Sequence, residues 1–138
     1  MGDGPDKREL LEVSKNYQKD IFFYNHVDAP FKKLSKSMDL ICITSRYDGT
    51  PNVLGEAMSY NIPCVAPKEV GLCNILLNNG KFGYLYNAEN NKSFKKKVLY
   101  ALKNYKTSII KAQHGYNSLK RFNSKNTLGK LRKEINKI

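Results

Sequence analysis

The chain has no tryptophan, two histidines, three cysteines and five prolines in 138 residues. Each scarcity removes a class of explanation. Cys42, Cys64 and Cys73 show no metal-ligand spacing, and an odd number of thiols cannot close into a disulfide set. Cys42 and Cys64 lie in apolar, strand-like runs, so buried reduced thiols are expected. His26 reads as a loop side chain rather than a catalyst, and His114 as a surface one. No apolar run approaches bilayer length, and the start, MGDGPDKREL, lacks the apolar segment of a signal peptide. A soluble, cytoplasmic chain is the expectation. What remains is 41% apolar residues in short runs, at a length that buries a real core in one domain.

Acidic residues are scarce in one region only. Residues 1–90 hold 10 Lys/Arg and 11 Asp/Glu, a net charge of −1. Residues 91–138 hold 14 Lys/Arg and the single acid Glu134, a net charge of +13. Such a basic third suits an anionic membrane surface, and nucleic acid has only the charge in its favour. The 15 asparagines point to a compositional bias, under which the lysines are simply a solvated face.

Along the chain, short strand-like runs alternate with helical ones. Pro5 opens a helix carrying Leu10, Leu11 and Val13. Asp20 to Tyr24 reads as a short strand, with Phe22, Phe23 and Tyr24 expected in the core. Residues 25–28 form a loop, and Ala29 to Ser37 a short helix. Asp39 to Thr44 reads as an apolar strand buried on both faces. A helix follows from Pro51, at the first helical position, to Tyr60, with Thr50 as N-cap. Asn61 suits a left-handed residue after it, and Pro63 prevents continuation. Pro63 to Ala66 is a strand, Gly71 to Leu77 a short helix, and Phe82 to Tyr86 a strand. From Asn90 the pattern is helical only. Phe94, Val98, Leu102 and Tyr105 share one face. Ile109, Ile110, Tyr116 and Leu119 are the apolar positions of a helix over 108–120. A last helix, capped by Asn123 or Ser124, carries Leu128, Leu131 and Ile135. Alternating strands and helices predict an α/β fold with a parallel, doubly wound sheet.

The stretch Ser45 to Ala66, SRYDGTPNVLGEAMSYNIPCVA, carries the chemistry. In open α/β sheets, ligands bind beyond the carboxyl ends of the strands. Asp48 to Val53 lies immediately past such an end. Gly49 permits a tight turn and close approach of a ligand. Thr50, Asn52 and Val53 offer backbone N–H groups at a helix N-terminus, where the macrodipole favours anions. Asp48 and Glu56, ionised, accept hydrogen bonds only, and each can take two hydroxyls of a vicinal diol. A phosphate cradle between two diol acceptors matches a nucleotide-sugar. Arg46 is the one arginine nearby, a weak pointer to phosphate.

Ser45 to Met58, followed by Asn61-Ile-Pro63 and Val65-Ala66, resembles the donor-site signature of retaining glycosyltransferases of family 4. That pattern is an acid, seven residues, then Glu, followed by Ala-Met and an Ile/Leu-Pro-Val strand. Gly2 to Pro5, Phe22 to Asp28, Val70-Gly71 and Gly80 to Leu85 resemble its other landmarks, so the likeness covers about residues 2–90. It implies the GT-B fold, two facing Rossmann-like domains, of which this chain supplies a three-layer donor-binding half with C-terminal helices. The whole chain, 1–138, is then a single nucleotide-sugar-binding domain: 1–90 the sheet core and donor site, 91–138 a basic helical tail. The first strand–helix unit, with the Arg and Lys that grip pyrophosphate, and the N-terminal acceptor domain are expected upstream.

By the same resemblance Glu56 holds the ribose hydroxyls and Asp48 contacts the transferred sugar. Gly49, Thr50, Asn52 and Val53 line the sugar and pyrophosphate, and Asn25, His26 and Val27 lie near the base. The family uses neither metal nor cofactor, the UDP- or GDP-linked sugar being the substrate, and transfer retains anomeric configuration. The expected role is hexosyl transfer in surface polysaccharide, lipopolysaccharide or glycolipid synthesis, at the inner face of a membrane. This isolated chain is expected to bind nucleotide-sugar weakly and transfer nothing. Here Asp48 stands where Glu is usual, Asn25 and Asn61 where glycines are common, Gly55 where Leu is usual, and Ile75 where an acid is common. The competing reading is a non-catalytic module that docks on anionic membrane through its basic helices. A 2-epimerase or phosphorylase fits the Asp48–Glu56 spacing less well.

Overall fold

The structure is a computed structural model and describes residues 5–17, 19–24, 26–49 and 51–122. Two compact units lie within residues 1–33 and 34–138. The expected helix with Leu128, Leu131 and Ile135 lies outside the described residues, as do Asn25 and Thr50.

In the first unit, α1 (Lys7–Val13) starts after Asp6 and runs on into a 3₁₀ turn, Lys15–Tyr17. Residues 21–24 form no strand, and Ile21, Phe22, Phe23 and Tyr24 are exposed, Phe22 by 72%. Both expectations for this run are therefore corrected. Aromatic composition favours a strand only where a neighbouring ladder takes up the backbone groups, and none pairs with 21–24 among the described residues. Helix α2 (Pro30–Leu34) continues into a 3₁₀ turn at Ser35–Ser37.

The second unit holds a three-stranded parallel sheet in the order β1 (Ile41–Cys42), β2 (Cys64–Pro67), β3 (Tyr84–Tyr86). Ile41 pairs with Cys64, and Val65 with Tyr84. The central β2 is wholly buried. β1 is shorter than expected and only half-buried, because among the described residues it pairs on one side alone. Its ladder nonetheless extends through Ile43, whose N–H bonds the Val65 carbonyl at 2.9 Å.

Helix α3 (Asn52–Ser59) connects β1 to β2, and α4 (Cys73–Leu76) connects β2 to β3. The expected first helical residue, Pro51, is instead the cap, at φ −71° and ψ 87°. Asn61 does adopt the left-handed conformation, φ 58°, and ends α3 before Pro63. Asn78 and Asn79 do the same after α4. Asparagine tolerates this region better than most residues.

Helix α5 (Asn91–Lys103) is capped by Asn90, whose side chain accepts from Ser93 N–H at 3.0 Å. It lays Phe94, Val98 and Ala101 on Val65, Tyr84 and Tyr86. Side chains alternate along a strand, so the opposite sheet face is left to α3 and α4, both of which touch β2. The result is the α/β three-layer arrangement expected, with helices at its C-terminal side.

Helix α6 (Tyr105–Ser118) packs on α3 and α5, and a 3₁₀ turn, Leu119–Phe122, follows it. Its buried residues are Ser108, Ala112 and Gly115, whereas Ile109 and Ile110 are exposed. Close approach explains the inversion. A Cβ at Gly115 would stand 3.3 Å from the Met58 methyl and 3.4 Å from Phe82 Cβ. Only small residues fit that seam. Leu102 is likewise exposed, and Tyr105 belongs to the next helix. Ser108 ties the corner together: its hydroxyl donates to Ala101 O at 2.7 Å and lies 2.8 Å from the Tyr84 hydroxyl.

Candidate functional site

Every loop leaving the carboxyl ends of β1, β2 and β3 meets at one edge of the sheet. Arg46 and Tyr47 follow β1, Glu69 and Val70 follow β2, and Asn87 and Glu89 follow β3. Together they line a cavity of about 620 Å³. Charge there is mixed. Glu69 accepts from Ala88 N–H at 3.2 Å and pairs with Lys68 at 3.3 Å. Desolvation pushes the Glu69 carboxyl up, but the backbone N–H groups and Lys68 outweigh it and hold the group below its ordinary range.

The loop carrying Asp48 is shaped from across the sheet edge. Gly71 has φ +47°, and a Cβ on it would fall 2.3 Å from the Asp48 carbonyl oxygen and 2.5 Å from that of Gly49. No side chain fits there, so the β1 and β2 loops touch backbone to backbone. A Cβ on Gly49, by contrast, would meet nothing within 4 Å, and Gly49 has no positive φ. The conformational demand expected of Gly49 is thus met by Gly71. The Asp48 carboxylate is exposed, yet near enough to act on Cys73. Burial first, and the Asp48 charge second, push the Cys73 thiol up to about 11.

On α3 the buried residues are Leu54, Ala57 and Met58. Asn52, Val53 and Glu56 therefore fall on the exposed stripe, at i, i+1 and i+4. The first-turn N–H groups of Asn52 and Val53 have no intrahelical acceptor, and Pro51 supplies no side-chain cap. Glu56 points to solvent one turn further on; its backbone carbonyl accepts from the Ser59 hydroxyl at 2.7 Å. Asp48, Gly49, Asn52, Val53 and Glu56 thus belong to one continuous segment at the carboxyl end of β1.

His26 and Val27 lie in the first unit, in a loop, with His26 exposed and 3.1 Å from the Asp28 carboxylate. Glu69, Asn87 and Glu89 were not singled out in the sequence. The only available signal was position: each follows a strand by a few residues. The three thiols are free, with Cys64 and Cys73 buried and Cys42 half-buried. Among the described residues no group of His, Cys, Asp and Glu could hold a metal ion.

Comparison with known proteins decides the family. A model described as glycosyl transferases group 1 matches residues 1–104. The chain belongs to that family. It is similar to an amylovoran biosynthesis glycosyltransferase of Erwinia amylovora, 36% identical over 98 residues, covering 68% of this chain and 26% of that one. It is also similar to a lipopolysaccharide 1,6-galactosyltransferase of Salmonella typhimurium, 29% identical over 91 residues, covering 62% and 25%. The chain therefore spans about a quarter of the length of the curated relatives it matches. A sucrose-phosphate synthase structure from Thermosynechococcus elongatus superposes on 98% of this chain and 35% of its own, with TM-score 0.79 and 18% identity. That likeness concerns the fold, which is Rossmann-like and of GT-B type.

Proposed function

We propose that this group 1 glycosyl transferase chain is the donor-binding half of a retaining GT-B enzyme of family 4, taking its sugar from a nucleotide-sugar. The observation that carries the reading is the segment after β1. Two exposed carboxylates, Asp48 and Glu56, flank the open first turn of α3 at the carboxyl edge of a parallel sheet. In this reading Glu56 takes the ribose diol, Asp48 the hydroxyls of the sugar, and the N–H groups of Asn52 and Val53 the phosphate oxygens. Gly49 and Thr50 line the sugar and pyrophosphate with them in this reading, and Asn25, His26 and Val27 lie near the base. No metal or cofactor enters this reading. The relatives act in polysaccharide and lipopolysaccharide synthesis by name, which supports a polysaccharide or glycolipid product.

Titrating UDP, UDP-sugars and GDP-sugars against the 138-residue chain tests this. Weak binding without transfer is expected, weakened further in Glu56→Ala. Transfer at a normal enzymatic rate would overturn the half-site reading, and unchanged affinity in Glu56→Ala would remove Glu56 from the ribose.

One observation favours peripheral docking on an anionic membrane as a second reading. Leu99, Leu102, Ile109 and Ile110 are exposed among the lysines of α5 and α6. Among the described residues no helix is long and apolar enough to cross a membrane. Sedimentation with anionic liposomes that shows no salt-sensitive binding would sink this reading.

A further inference from the structure

At the opposite, amino end of β3, a second cavity of about 470 Å³ opens between the strand and helices α5 and α6. Lys96 and Lys97 of α5 and Lys111 of α6 line it, together with Tyr84, Tyr100 and Gly80. Among the described residues none of these three lysines has a carboxylate partner. Lys111 is fixed in place: its ammonium donates to the Gly80 carbonyl at 2.6 Å and lies 5.3 Å from the centre of the Tyr84 ring. That ring is held in turn by the Ser108 hydroxyl and by edge contact with Tyr100, centroids 5.8 Å apart. Burial first, and Lys97 second, lower the Lys111 pKa from its ordinary value. Three lysines thus line one hollow, and an anion entering it would offset the charge they bring there.

We infer that the cavity between β3, α5 and α6 is a second anion site, which takes a phosphate group on Lys96, Lys97 and Lys111. Lysine binds phosphate as a point charge with three rotatable donors, which suits a group of variable attachment. The volume exceeds one phosphate and admits a pyrophosphate or the headgroup of a phospholipid. The site lies at the sheet end away from Asp48 and Glu56, and it stands or falls without the donor reading.

Amide NMR of the 138-residue chain titrated with inorganic pyrophosphate tests the site. Saturable shifts are expected at Gly80, Gly83 and Tyr100, weakened about tenfold or more in the Lys96→Ser/Lys97→Ser variant. These two lysines are chosen because Lys111 also satisfies the Gly80 carbonyl, so its loss would disturb the fold. No shift at those amides, shifts confined to Gly49 and Gly71, or unchanged affinity in the double variant would each overturn the site. Vesicles then assign the source of the phosphate. Retention on phosphatidylglycerol but not phosphatidylcholine vesicles, released by pyrophosphate and lost in the double variant, marks a lipid headgroup. Pyrophosphate binding without vesicle retention marks a soluble phosphate.

Discussion

The two ends of this small sheet are built by opposite means. At the carboxyl end, backbone shapes the site: Gly71 lets two loops touch, and the open turn of α3 presents N–H groups. The charges there are mixed, with Arg46 among Glu69 and Glu89. At the amino end, side chains shape the site, and the charge is all of one sign. Backbone donors sit in fixed directions and suit a ligand with a defined pose. Lysine ammonium groups act as point charges and suit an anion recognised by charge.

Substitutions at three small residues break or sharpen that contrast. The largest effect is expected at the carboxyl end. Gly71→Ala forces a Cβ into two carbonyl oxygens and strains a positive φ, so a loss of about 3 kcal/mol is expected. Urea unfolding would show it, and amide shifts should centre on residues 48 and 49. A loss below about 0.5 kcal/mol would mean that the loops separate freely. Next is Ser108→Ala, which removes the partner of a buried Tyr84 hydroxyl and costs about 2 kcal/mol. Thermal unfolding measures it, and the pyrophosphate shifts at Gly80 and Gly83 should weaken with it. Nucleotide affinity should stay unchanged; a fall there would join the two ends into one cooperative unit. The smallest effect separates the ends from the helix between them. A Cβ at Gly55 meets nothing within 4 Å, so Gly55→Ala should stabilise α3 by about 0.5–1 kcal/mol and alter neither end.

Chemical labelling probes the thiols beside the first site. Burial raises all three thiols, Cys64 far up and Cys73 to about 11, and Cys42, which is also raised, is the one that is only half-buried. Iodoacetamide should therefore modify Cys42 before either. Prompt labelling of Cys73 would mean that the Asp48 loop opens.

What could be read from sequence was local, and what could not was contact between distant segments. The left-handed Asn61 followed from a helix running out before Pro63. The parallel strands followed from alternation, though β1 is shorter and wetter than its apolar run promised. The segment from Asp48 to Glu56 was legible because its chemistry is contiguous. Gly71 was visible as a landmark, but its partners lie 22 and 23 residues earlier, and no periodicity reports a carbonyl 2.3 Å from an absent atom. Residues 21–24 misled because propensity was read without a pairing partner. Helix α6 misled because Ile109 and Ile110 outweigh Ser108, Ala112 and Gly115 on any hydropathy scale, although it is the small residues that are buried, with Gly115 close against Met58 and Phe82. The lysine cavity was hidden for a related reason. Sequence shows a net +13 after residue 90, but not that α5 and α6 bring Lys96, Lys97 and Lys111 to one hollow.

The contact at Gly71 also sets a rule for transplanting parts between related proteins. Two stretches far apart in the chain, 45–49 and 69–72, behave as one cassette, because the shape of each is the mould of the other. Exchanging the first alone would seat a foreign loop on an unmatched floor. Exchanged together, with the glycine retained, they carry their mutual fit into the recipient, and diversity is better introduced at Arg46 and Tyr47, whose side chains face the open cavity.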